Sequence, residues 1–142
     1  MKKYKLSSNE DAVVNLYGKN VKFLRGTGAT FSVVYGAIKQ VEGKVHFNAI
    51  VFGDTLDGFE NKVHELAEED PILAKFKTIH SKNKIVIDFL HGSTVTFTTI
   101  DNLKYDNVIY DVAYVDSNII TDRQRDILPC IASDYCAVST FE

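Results

Sequence analysis

From Asn20 to Phe141, strand-like and helix-like apolar patterns alternate along the chain, and that alternation leaves few ways to fold. Asn20 to Leu24 reads as a first strand, and Thr30 to about Gln40 as a helix with Phe31, Val34, Ala37 and Ile38 turned inward. Lys44 to Phe52 (KVHFNAIVF) is the next strand, and Leu56 to Glu69 an amphipathic helix through Phe59, Val63, Leu66 and Ala67. Two β-rich runs, 84–90 and 93–99, then flank His91-Gly92 in the manner of a hairpin. Asn107 to Val115 reads as a strand, Thr121 to Ala132 as a helix and Asp134 to Phe141 as a last strand. Strands joined through helices around one inserted hairpin predict an α/β domain with a mostly parallel sheet. Before the first strand, Ser7 and Glu10 have capping-box spacing and open a short helix closed by Gly18. Pro71 is placed to begin another short helix.

Composition narrows the function classes. The chain has 142 residues and a formal net charge of −3, which predicts one domain over 1–142 and no strong electrostatic footprint for nucleic acid. The cluster Lys2, Lys3 and Lys5 reads as a solvated tail. No apolar run approaches the length needed to cross a bilayer, and the polar N-terminus lacks a signal-peptide core, so no membrane role is expected. Cys130 and Cys136 lack metal-ligand spacing and read as reduced core residues of a cytoplasmic protein. His64-Glu65 meets Glu68 where a zinc protease needs histidine, so that helix reads as a charged surface face. His46, His80 and His91 show no ligand spacing. The aromatics Phe47, Phe52, Phe89, Phe97, Tyr110 and Tyr114 alternate as core residues do.

The stretch VKFLRGTGATFSVV (21–34) carries the chemistry. A strand enters a glycine turn and leaves as a helix. Such turns bind phosphate because glycine admits the anion close to the backbone, and amides at the helix start point towards it. In the full phosphate-loop pattern a lysine reaches the β- and γ-phosphates and a hydroxyl holds Mg²⁺. Gly28 and Thr30 fit that pattern; Ala29 stands where the lysine belongs, and Phe23 where the first glycine belongs. Downstream, VIYDVAYVDS (108–117) is an apolar strand ending in Asp116, the arrangement that sets a carboxylate beside Mg²⁺. Ser117 follows where an ATPase has its water-activating glutamate.

In this order, the segments resemble the N-terminal ATPase domain of phage large terminases, the motors that package DNA. The resemblance covers RGTGAT, KVHFNAIVF, LDGFENKVHELAEE, IDFLHGSTVTFTT, YDVAYVDS and AVSTF, nearly the whole chain. It implies a P-loop NTPase fold of RecA/ASCE type, a three-layer α/β/α sandwich with a mostly parallel sheet and an inserted hairpin, truncated at its C-terminus without a nuclease domain. It implies a nucleotide site of Arg25, Gly26, Thr27, Gly28, Ala29 and Thr30, with ATP as ligand and Mg²⁺ on Thr30 and Asp116. Arg25 stands four residues before Ala29, where the family carries a phosphate-reaching arginine, and Thr140 stands at the coupling motif. Implied partners are other terminase subunits or capsid and portal proteins, in an oligomer, with DNA contact indirect or weak; the place is a host cytoplasm. Ala29 and Ser117 depart from the family, so weak nucleotide binding and impaired or absent hydrolysis are expected. A second expectation is a non-enzymatic viral structural or interaction module that kept the fold.

Overall fold

The computed structural model describes residues 20–24, 29–69, 77–89, 91–104, 108–116 and 119–141. The helices expected after Ser7 and at Pro71 lie outside these residues. Chain order is β1 (Asn20–Leu24), α1 (Ala29–Val41), β2 (Asn48–Gly53), α2 (Leu56–Glu69), β3 (Lys77–His80), β4 (Lys84–Phe89), β5 (Ser93–Thr99), a 3₁₀ turn (Ile100–Asn102), β6 (Tyr110–Asp116), α3 (Asp122–Ile131) and β7 (Ala132–Phe141). The strands form one seven-stranded sheet in the order β1-β7-β6-β2-β5-β4-β3. The five strands from β1 to β5 in that order are parallel; β4 runs antiparallel to both β5 and β3. This is the mostly parallel sheet expected from the alternation.

Burial follows from where each strand sits. Five consecutive residues of β2, Ala49 to Gly53, are buried, because helices cover both faces of the sheet there. In β4 the outer positions alternate, with Ile85, Ile87 and Phe89 buried and Lys84 and Asp88 exposed. One apolar cluster joins Val34, Ile38 and Val41 of α1 and Phe59 and Leu66 of α2 to Val51, Phe97, Val112 and Tyr114. The other joins Ile127, Leu128 and Ile131 of α3 to Ile50, Phe52, Ala113, Val115 and Ala137. Successive residues of β2 and β6 thus point into different clusters, and the fold is a three-layer α/β/α sandwich.

The helices begin and stop for local reasons. At the start of α3 the Thr121 hydroxyl accepts from the Gln124 amide at 3.2 Å, and the Gln124 side chain accepts from the Thr121 amide at 3.0 Å, a reciprocal cap. The α1 helix ends in a turn where Gly43 takes φ +80.

Three local expectations change. Lys44 to Phe47 alternate like a strand but form a loop: His46 has φ 52, and Ser93 pins the segment by donating to the Lys44 carbonyl at 2.6 Å and accepting from the Phe47 amide at 3.1 Å. Lys77–His80 adds a strand not expected from sequence, so the hairpin is a three-stranded meander. Cys130 is exposed, because α3 turns Ile127, Leu128 and Ile131 to the sheet and leaves the residue between them outside; Cys136 is buried as expected.

Candidate nucleotide site

The connections of the sheet pick out one crevice. β1 leaves through α1, on the face shared with α2, and returns at β2 towards the β5 side. β6 leaves through α3, on the opposite face, and returns at β7 towards β1. Reversing both the face and the direction keeps the crossovers of one hand. Two strands whose outgoing segments part to opposite faces leave a crevice beyond their carboxyl ends, and in open α/β sheets ligands bind there. Here those strands are β1 and β6, with β7 seated between them.

Register places the expected residues along that edge. Asp116, the last residue of β6, pairs with Val138, which pairs in turn with Val21 of β1. Thr140 lies two residues further along β7, opposite Phe23, and Leu24 pairs with Phe141. At normal strand spacing β1 and β6 are about 9.6 Å apart, and Thr140 stands about 6.6 Å beyond the level of Asp116. Ala29 and Thr30 open α1, a thirteen-residue helix with no acidic residue in its first turn. The positive end of that helix therefore faces the outlet of β1 with no carboxylate of its own to neutralise it. The topology brings the start of α1, Asp116 and Thr140 to one edge; Arg25, Gly26, Thr27, Gly28 and Ser117 lie outside the described residues.

One feature beside this edge was not expected from sequence. A Cβ at Gly53, the last residue of β2, would lie 2.3 Å from Cζ of Phe59, so α2 can cross the strand end closely only over a glycine. Phe59 in turn packs on Phe97, with ring centroids 5.3 Å apart. A glycine closing an apolar strand was the available signal. Cys136 lies in β7 within the buried core, paired with Tyr114; burial, aided by the charge of Asp134, pushes its thiol up to about 12, so it stays protonated and unreactive. Arg123 and Arg125 are exposed on α3, and His64, Glu65 and Glu68 are exposed on α2, as a charged helix face requires.

No protein-family model and no curated protein sequence matches the chain. Solved structures do. The chain is similar to the large terminase of bacteriophage HK97, with a TM-score of 0.73 at 10% identity over 96% of this chain and 33% of that one. It is similar to the large terminase ATPase domain of Thermus phage P74-26, with a TM-score of 0.62 at 13% identity over 96% of this chain and 65% of that one. The large terminase of a thermophilic bacteriophage in complex with ATP-gamma-S gives a TM-score of 0.61 at 11% identity, over 96% of this chain and 38% of that one. The fold is that of large terminase ATPase domains, and the chain spans between a third and two thirds of the length of these structures.

Proposed function

We propose that this chain is a large-terminase-like ATPase-domain protein of a phage DNA-packaging system that holds ATP weakly and hydrolyses it slowly or not at all. One observation carries the reading. The crevice that the topology singles out has the outlet of β1, Asp116 and Thr140 on its rim, and these are the places of the phosphate loop, the metal carboxylate and the coupling residue in the resemblance.

The roles follow from chemistry. Residues 25–28 and the start of α1 offer backbone amides and a positive helix end to the phosphates. The Thr30 hydroxyl and the Asp116 carboxylate are hard oxygen donors of the kind Mg²⁺ takes, and they are the residues that would hold it. When bound there, Mg²⁺ would supply charge neutralisation to the phosphates. Ala29 contributes no cation, so Arg25 is the only basic residue of the RGTGAT stretch, and its planar fork suits phosphate oxygens. Ser117 cannot take a proton from water as a glutamate does, which removes the water-activating step. The partners that suit such a chain are terminase, portal or capsid proteins in an oligomer.

Calorimetry with ATP and ADP, with and without Mg²⁺, tests this on the chain and on Arg25→Ala. Binding that needs Mg²⁺ and weakens tenfold or more in the variant is expected. No heat at millimolar nucleotide would sink the reading and favour the second one, an interaction module with a retained fold, to which Ala29 and Ser117 already point.

A further inference from the structure

We infer that Asp54 is the base that takes the proton from water at the candidate nucleotide site, an inference that rests on the nucleotide reading proposed above. Sheet register carries it. β2 lies next to β6, with Phe52 paired to Val115. Asp116 comes one residue after that pair on its strand, and Asp54 two residues after it on the other. At normal spacing Asp54 therefore stands one strand over, about 4.8 Å, and about 3.3 Å past the level of Asp116. The glutamate of the resemblance also comes one residue after the aspartate that closes this strand. The neighbouring strand thus offers, at that height, the carboxylate that Ser117 does not provide.

Asp54 is fixed in place and yet unpaired. Gly53 before it lies close under the Phe59 ring, and the Thr55 hydroxyl after it accepts from the Gly58 amide at 3.3 Å as α2 begins. Between these anchors Asp54 is exposed and has no hydrogen bond or ion pair among the described residues. The other described acids near this sheet end are placed differently. Asp57 and Asp122 stand in the first turns of α2 and α3, where their charge complements the helix ends. Asp101 follows β5, which is two strands from β6. An unpaired carboxylate keeps its lone pairs for a water. As the water oxygen bonds to the γ-phosphorus, its proton passes to the Asp54 carboxylate; the bond from that phosphorus to the bridging oxygen breaks, and ADP leaves with the electron pair. Aspartate is one methylene shorter than glutamate, so hydrolysis through it is slow and not absent.

Single-turnover hydrolysis of radiolabelled MgATP on the full chain, with calorimetry of MgATP binding on the same samples, tests this. Wild type is expected to bind and to hydrolyse slowly. Asp54→Asn should bind within about twofold of wild type and hydrolyse at least tenfold more slowly, since a positioned base contributes about a hundredfold or more. Asp54→Glu lengthens the same carboxylate and should keep or raise the rate. Asp57→Asn removes an equal charge close by and should leave the rate unchanged. Failure of wild type to bind MgATP overturns the nucleotide reading and this inference with it. Binding without hydrolysis in wild type, or equal rates in wild type and Asp54→Asn, overturns the inference alone. So does a rate lost in Asp54→Glu as fully as in Asp54→Asn. Weaker binding in Asp54→Asn at an unchanged rate per bound nucleotide overturns it too, and would make Asp54 a metal contact instead of a base.

Discussion

Cys136 ties a single group to the stability of the whole. Its thiol is held at about 12, against 9.0 for a free cysteine, by burial first and then by the charge of Asp134. In the unfolded chain the proton leaves near pH 9, whereas in the folded chain it stays. Stability is therefore intact below pH 9 and falls as pH climbs from about 9 to about 12, with a limiting slope of about 1.4 kcal/mol per pH unit. Urea unfolding of wild type and Cys136→Ala across this range checks the sign: the advantage of wild type should shrink only above pH 9. A parallel loss in both chains would show that other groups cause it. Cys136 was legible as core from its apolar neighbours. Cys130 was not, because the run ILPCI is apolar throughout and composition alone hides which residue of a helical turn faces outward.

Among the elements, the β2–α2 junction is the most sensitive to one atom. Gly53→Ala would drive a methyl into the Phe59 ring, which is buried and leans on Phe97. Backbone atoms of a central strand cannot retreat, so either Phe59 leaves its rotamer or α2 shifts. We expect a loss of about 1–3 kcal/mol, read as a lower urea midpoint at unchanged m-value; an unchanged midpoint would mean that α2 yields freely. The long elements were legible because burial on a fixed side imposes a period. Lys77–His80 was not, since Thr78, Ile79 and His80 are all exposed and leave no alternation to detect. Lys44 to Phe47 misled for the converse reason: Phe47 is half-buried and Val45 exposed, but hydrogen bonds from Ser93 and a positive φ at His46 set the backbone.

For the molecule as a whole, the order of segments was legible because parallel strands joined by helices admit few topologies. The insertion of β7 between β1 and β6 was not, because a one-dimensional pattern states the order of strands in the chain and not in the sheet. The candidate site is a property of that insertion, so the motif residues pointed to its chemistry and the topology to its place. A whole-site prediction follows. On the terminase-like reading, Ala29→Lys with Ser117→Glu adds a cation and a base at the positions where the resemblance has them. MgATP should then bind at least tenfold more tightly by calorimetry, since a lysine contributes a charge-assisted contact to phosphate. No gain from the pair would favour the interaction-module reading over the terminase-like one.

The seating of β7 also orders events in time. Val21 pairs with Val138, and β1 has no other partner among the described strands. During synthesis β1 emerges well over a hundred residues before the strand that joins it to β6. Loop closure over that span is slow, and long-range parallel pairing is the late step in such folds. The meander and the β2–β5 pair can assemble as soon as they appear, whereas β1 and β6 are joined only when the strand between them arrives. A nascent chain is thus kept from presenting a finished crevice until nearly the whole sheet exists to hold it.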